Sequence, residues 1–356
     1  LADNIKGLRV LDVAGSEMSF PANHPGWLGL RFGNHDAIKT ADFILVVDSD
    51  VPWIPTLCKP KDTAKIVHID VDPLKQQIPM FYIPSIATFK ADSTTAFKQL
   101  NDYIASNATL TQALNSPEHL ARAKRVQEEY NQRLEALAKD AATPAGGPSA
   151  PLNAHYLVAQ LRKAAPADTI WAIEAVTLTA IVADQLQCSL PNSWINCGGG
   201  GLGWSGGGAL GIKLASDDQH GGPGKGKFIC QIVGDGTFLF SVPGSVYWIS
   251  RRYNIPVLTI VLNNKGWNAP RRSMLLVHPN GDGSRATNED LNISFAPTPD
   301  YAGIAKAAAG GELWAGRAAT VGELAERLPQ AVQSVLNGRT AVLEAQIDGT
   351  EGKYVE

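Results

Sequence analysis

Two short polar groups, Gly234-Asp235-Gly236 and Asn263-Asn264-Lys265-Gly266, are the part of the chain best suited to chemistry, with 26 residues between the first group and Asn263. Each follows an apolar run, Phe228–Val233 and Val257–Leu262, that reads as a buried strand. Open α/β sheets bind ligands beyond the carboxyl ends of their strands, so two neighbouring strand tips would aim both groups at one point. Asp235 offers an anionic oxygen, Asn264 an amide oxygen, and Gly266 a carbonyl on backbone with no side chain in the way. An oxygen-only set suits Mg²⁺, which prefers six oxygens and completes its shell with water and phosphate oxygens. A diphosphate is the ligand that fits. Gly234 and Gly236 permit close backbone approach, and Thr237, on the turn into the next helix, adds a hydroxyl and an amide where anions are favoured. Alone, Gly-Asp-Gly at a strand end is more often a tight turn; the pairing with Asn263-Asn264 changes that reading.

The surrounding elements must hold these groups. Phe43–Val47 and Ile66–Val71 read as strands buried on both faces, which implies a parallel sheet. A long polar helix is predicted from Ser116 as N-cap and Pro117 as first helical residue through Asp140, on the surface. The stretch 141–151, small and rich in Pro and Gly, reads as a linker. Beyond it come a helix at His155–Lys163, a strand at Thr169–Ile173, a glycine cluster, the Phe228–Val233 strand, a helix near Ser245–Tyr253 and the Val257–Leu262 strand. The expected fold class is α/β: two doubly wound parallel-sheet domains joined by a Pro/Gly-rich linker. The boundaries are 1–110 for a first domain expected to be N-terminally incomplete, 111–150 for helix and linker, and 151–356 for the second domain.

Composition sets the outer limits. A chain of 356 residues with 44% hydrophobic and 18% charged residues is ordinary for a globular protein, and a net charge of -3 gives no footprint for nucleic acid or an anionic membrane. Four cysteines, Cys58, Cys188, Cys197 and Cys230, lack metal-site spacing and read as reduced thiols. No apolar run reaches transmembrane length, and the first residues lack the features of a signal peptide, so a cytoplasmic or organellar location is expected. The chain opens without Met and is expected to be a fragment or processed product. None of its seven histidines is spaced as a recognisable catalytic pair.

The Gly-Asp-Gly and Asn-Asn pair resembles the diphosphate-binding motif of thiamine diphosphate (ThDP)-dependent enzymes. That resemblance implies that Asp235, Asn264 and the Gly266 carbonyl ligate Mg²⁺. Upstream, the glycine-rich segment Asn196–Ile212 resembles one that in the family bends the cofactor; Leu202 matches the apolar residue that wedges beneath it and Gly200 the carbonyl that receives its 4′-amino group. For Leu202 the competing reading is ordinary core packing. The segment Thr169–Thr179 resembles the first loop of the diphosphate domain in benzoylformate decarboxylase-like members, where Thr177 would donate to the diphosphate; a plain helix N-cap is the competing reading. His24–Gly29 and Ile66–Pro73 resemble the central domain of the acetolactate synthase and decarboxylase group.

The resemblance implies an acetolactate synthase-like decarboxylase or carboligase acting on 2-oxo acids, with ThDP and Mg²⁺ as cofactors. The family's activating glutamate lies in a pyrimidine domain preceding the central one, and nothing here corresponds to it. Catalysis is therefore expected only with a pyrimidine domain supplied by another segment or chain, in a homodimer or tetramer. The alternative is a non-catalytic subunit that keeps the fold for assembly. Val47–Trp53 replaces the Arg- and Asp-rich FAD loop of acetolactate synthases, so FAD is not expected. Trp267 is expected among the cofactor-binding residues; it and Arg271 follow the metal motif and read either as shaping an acceptor pocket or as a packed Trp and a solvated Arg. Pro243-Gly244 departs from the family's Gln-Glu and puts the first helical turn there in question.

Overall fold

In a computed structural model that describes residues 1–74, 82–197 and 200–347, short aliphatic runs become parallel strands throughout. The chain divides into two compact units, residues 1–15 with 19–136 and residues 16–18 with 137–356.

In the first unit β1 (Val10–Asp12) pairs in parallel with β2 (Trp27–Leu30). Helix α1 (Asp36–Thr40) begins at His35, whose ring nitrogen accepts the Ala37 N–H at 3.0 Å. Strands β3 (Phe43–Val47), β4 (Lys65–Asp70) and β5 (Ala87–Lys90) form a parallel sheet in that order, followed by α2 (Ser93–Ser106), α3 (Ala108–Leu114) and α4 (Pro117–Asp140). Ile38, Val46, Trp53, Cys58, Ile66 and Ile83 make the core. Burial on both faces holds only for β4: Phe43 is exposed because β3 is an edge strand, and Val71 lies past the end of β4 and is also exposed. Helix α4 starts at Pro117 as the sequence predicts, with the Ser116 hydroxyl paired to the His119 ring at 2.8 Å. It is largely solvated, with Val126 and Leu137 buried.

The second unit opens with α5 (Ala154–Ala164), capped by Asn153 Oδ1 accepting the Tyr156 N–H at 2.7 Å. Then follow β6 (Ile170–Glu174), α6 (Thr179–Leu186), β7 (Trp194–Asn196), α7 (Trp204–Gln219), β8 (Ile229–Gly234) and α8 (Asp235–Phe240). The chain continues through α9 (Pro243–Arg252), β9 (Leu258–Asn263), α10 (Asn268–Val277), α11 (Tyr301–Ala308), β10 (Trp314–Ala318), α12 (Val321–Leu336) and β11 (Ala341–Gln346). All six strands are parallel in the order β10-β11-β9-β8-β6-β7. The path runs from β6 outward to β7 and then back past β6 to β8 and β9, so the switch of direction falls beside β6 and β8, where such sheets open a ligand crevice.

The Pro/Gly-rich stretch expected to join two domains lies inside this unit, and its end is packed. Ala150 and Leu152 are buried, the Ala150 carbonyl accepts the Val321 N–H at 3.0 Å, and Pro151 bridges to Thr320. The division between units instead falls within α4, after Ala136. Low apolar content marked the stretch as a spacer, but backbone hydrogen bonds to the start of α12 hold it where side chains could not.

Candidate functional site

Register brings the two motifs together: Gly234 of β8 pairs with Leu262 of β9, so Asp235 and Asn263 leave the sheet side by side. Asp235 is 4% exposed, and its Oδ1 accepts the Gly236 N–H at 2.7 Å while Oδ2 accepts the Gly266 N–H at 3.2 Å. Burial pushes its carboxyl up to about 6 against the pull of these backbone N–H groups, so hydrogen bonding alone does not offset the lost hydration of the anion.

One end of the Asn264 side-chain amide lies 3.2 Å from Asp235 Oδ2 and 3.0 Å from the Gly266 carbonyl oxygen. As nitrogen, that end donates to both; as oxygen, it sets three oxygens face to face, an arrangement that a shared cation makes favourable. The donor set therefore fits Mg²⁺ in the cation-bound form and closes on itself without one. The Gly266 carbonyl also accepts the Asn268 N–H at 3.0 Å, which leaves its second lone pair for a ligand. Among the described residues no group of three or more His, Cys, Asp or Glu side chains could hold a metal, so a metal here must draw on amide and carbonyl oxygens as well.

Backbone conformation builds this turn. Lys265 has φ +66° and Gly266 φ +158°, and a Cβ at position 266 would run into the Ile293 carbonyl oxygen. The segment after the turn is pinned by Trp267 N–H donating to Ile293 O at 2.8 Å and Phe295 N–H donating to Lys265 O at 2.9 Å. Gly236 is needed for a second reason: the Trp267 ring lies where a Cβ would project. That ring meets Phe240 and Phe295 edge-on, at centroid distances of 5.6 and 5.0 Å. Trp267 is thus packed between the two motifs, against Gly236, Phe240 and Phe295. Arg271 is tied down too, donating to Ala286 O at 2.9 Å and Asn288 Oδ1 at 3.0 Å.

The remaining expected residues surround these tips. Thr237 is buried in α8, which starts at Asp235 itself rather than after a turn. Helix α8 stops at Phe240, Val242 takes a left-handed conformation, and α9 starts afresh with Pro243 as its first residue. Pro243-Gly244 thus opens its own helix, a position that proline suits. Thr177 lies in a 3-10 turn, Val176–Leu178, and α6 begins at Thr179 without a side-chain cap, so the N-cap reading fails; the Thr177 carbonyl accepts from Arg272 at 3.5 Å. Leu202 is 39% exposed, which removes the core-packing reading, and Gly200 has φ +69° with open space around it. Gly198 and Gly199 of the same segment lie outside the described residues.

Sequence reasoning missed Glu174. It ends β6, is 4% exposed, and its carboxylate accepts three N–H groups at the start of α7: Gly203 at 2.8 Å, Trp204 at 3.2 Å and Ser205 at 2.7 Å. Those donors are the orphans of a helix N-terminus, and the glycines before α7 carry no side chain to satisfy them. An acid ending an otherwise apolar strand, ahead of a helix without a capping residue, was the available signal. Gly203, at φ +99°, presses against the Phe240 carbonyl, so this anchored loop also abuts the end of α8.

Residues 175–345 match a family model described as "Thiamine pyrophosphate enzyme, C-terminal TPP binding domain". The chain is 27% identical over 248 residues to 2-hydroxyacyl-CoA lyase 1 of Mus musculus, covering 69% of this chain and 40% of the lyase. It is 23% identical over 205 residues to the acetolactate synthase isozyme 3 large subunit of Escherichia coli strain K12, covering 55% of this chain and 32% of that subunit. In fold it is similar to benzoylformate decarboxylase from Polynucleobacter necessarius, with TM-score 0.68, 17% identity, and 97% of this chain and 57% of that one covered. It is equally similar to the thiamine diphosphate-dependent 4-hydroxybenzoylformate decarboxylase of Rhodococcus jostii RHA1, with TM-score 0.68, 20% identity, and 96% and 56% covered. The chain thus spans roughly a third to three fifths of the length of these relatives.

Proposed function

Because the chain belongs, through residues 175–345, to the thiamine diphosphate-dependent enzyme family, we propose that it binds thiamine diphosphate through Mg²⁺ and acts as a decarboxylase or carboligase on 2-oxo acids. The observation that carries this reading is the meeting of Asp235 Oδ2, the Asn264 amide and the Gly266 carbonyl within 3.0–3.2 Å contacts at the tips of adjacent strands. When bound, thiamine diphosphate supplies a nucleophilic carbon and an electron sink for cleaving or making the bond beside a carbonyl.

This chain's residues bind and orient. Asp235, Asn264 and Gly266 would hold Mg²⁺ against the diphosphate, and Thr237, two residues after Asp235 at the start of α8, and Thr177, in the turn after β6, would donate to its oxygens. Glu174 fixes the loop bearing Gly200 and Leu202. The partly exposed Leu202 side chain would be the apolar prop beneath the bound cofactor, and holding the reacting groups in place is what would lower the entropic part of the barrier. Leu202, Phe240 and Val242 are exposed apolar side chains around the Gly203–Phe240 contact. A pyrimidine-bearing segment or second chain covering them would complete the cofactor cleft, and a homodimer or tetramer provides one.

Calorimetry with thiamine diphosphate and MgCl₂ tests the reading. Saturable binding that EDTA reverses and Asp235→Ala removes supports it. Absence of binding, even with a pyrimidine-domain partner added, would favour a non-catalytic subunit that retains the fold for assembly. A screen of 2-oxo acids with the assembled protein then addresses substrate.

A further inference from the structure

The first residue of the asparagine pair is not among the proposed ligands, yet it is fully buried and both ends of its amide are engaged. Asn263 Nδ2 donates to Glu344 Oε1 at 2.8 Å, and Asn263 Oδ1 accepts the Lys265 N–H at 3.0 Å. Glu344 lies on β11 opposite Val261, two residues before Asn263 on β9, and is 1% exposed. Directly across on β10, the Arg317 guanidinium approaches it at 3.4 Å and donates to Gln346 at 2.8 Å.

A buried carboxylate is an expensive way to stabilise a strand, because the ion loses hydration that one ion pair at 3.4 Å, together with the Asn263 amide and the Tyr301 backbone N–H, only partly restores. Burial accordingly raises the Glu344 carboxyl. What a carboxylate does that an apolar or amide side chain does not is accept only. Facing Asn263, it admits just the NH₂ end of that amide, so the oxygen end must turn to the Lys265 N–H. That bond helps hold Lys265 at φ +66°, a left-handed conformation uncommon for a residue with a side chain. The residues on either side of this bend are Asn264 and Gly266.

We infer that Glu344 is a positioning residue for the metal turn: by dictating which way the Asn263 amide points, it sets the bend at Lys265 that brings Asn264 and the Gly266 carbonyl together at Asp235. This inference rests on the Mg²⁺ reading of the site. Glu344 touches neither metal nor cofactor; it acts through Asn263, and Arg317 acts through Glu344.

The test uses Glu344→Gln. The variant keeps the shape but lets either end of its amide face Asn263, so the Lys265 N–H loses its assured acceptor. MgCl₂ titrated calorimetrically into the chain with excess thiamine diphosphate should show half-saturation raised about tenfold or more, the range for groups that orient metal ligands. Hydrogen exchange of the Lys265 amide, measured without metal, should quicken while exchange in the centre of β9 stays as in the parent chain. A general loss of stability would instead speed both. If Glu344→Gln fails to fold, Arg317→Gln at the half-exposed end of the relay replaces it, with an expected rise of about threefold, below the range for direct orienting groups. Binding within twofold of the parent chain, or an unchanged Lys265 exchange rate, overturns the inference and leaves the Mg²⁺ reading standing. A parent chain that takes up no metal at all removes that reading first, and the exchange experiment then decides the positioning role alone.

Discussion

Replacing Glu174 by Gln changes one atom and should cost far more than its size suggests. In the parent chain the carboxylate accepts three backbone N–H groups, at 2.7, 2.8 and 3.2 Å, from a helix terminus that has no cap of its own. An amide retains one acceptor and turns an NH₂ group toward donors, so at least one short charge-assisted bond is lost and a donor is stranded. Hydrogen bonds to charged groups contribute about 1.5–3 kcal/mol each, and an anion at a helix N-terminus adds about 0.3–2 kcal/mol. A loss of about 3 kcal/mol follows. At about 2–4 °C per kcal/mol for a unit of this size, the melting temperature should fall by about 6–12 °C. The burial of Glu174 makes the loss insensitive to salt, unlike that of a surface pair. Thermal unfolding followed by circular dichroism at low and high ionic strength measures it, and cofactor titration of the same samples should show weaker thiamine diphosphate binding because the Gly200–Trp204 loop has lost its anchor. A melting temperature within about 2 °C of the parent chain would refute the capping account.

Gly236→Ala should displace the Trp267 ring and abolish Mg²⁺-dependent cofactor binding, which tryptophan emission and calorimetry will register together. Lys213 and Asp217 form a buried pair at 2.7 Å, with the Lys213 ammonium also donating to Gly226 and Lys227 carbonyls; Lys213→Met leaves the carboxylate with backbone donors only and no opposite charge, and should destabilise the fold in urea unfolding by up to about 3 kcal/mol. Leu202→Ala should leave the fold intact, since that side chain is partly exposed and belongs to neither hydrophobic core, but should raise the concentration of thiamine diphosphate needed for half-saturation. Burial holds His155 below its ordinary 6.5, and Gln185 donates to its ring nitrogen at 3.1 Å, which suits the neutral form. A depressed folded-state value stabilises above pH 6.5 and loses that contribution as pH falls through it. The unfolding midpoint should therefore drop on acidification below 6.5, and less steeply in His155→Gln.

The strands and their order of appearance were legible because apolar runs report burial directly, and β8 and β9 begin and end within one residue of expectation. That Asp235, Asn264 and Gly266 would come together was legible for a different reason: strand tips in such sheets converge, so polar residues just beyond two apolar runs meet. Glu174 and Glu344 were not. Each acts on a partner at least 29 residues away, Gly203 before α7 and Asn263 on the neighbouring strand respectively, and nothing in local periodicity distinguishes a buried acid that caps or orients from one that faces water. The packed end of the Pro/Gly-rich stretch was hidden for a related reason, since its bonds run through backbone and leave no pattern in side chains.

The indole lying on the bare backbone of Gly236 has a kinetic consequence. Because that stacking closes the two halves of the grip in advance, little chain has to be immobilised when an ion arrives. Uptake should then be paced by how reluctantly Mg²⁺ gives up its water shell rather than by any slow rearrangement of the polypeptide. Mn²⁺, which sheds water faster, should load the same pocket more quickly at similar final occupancy.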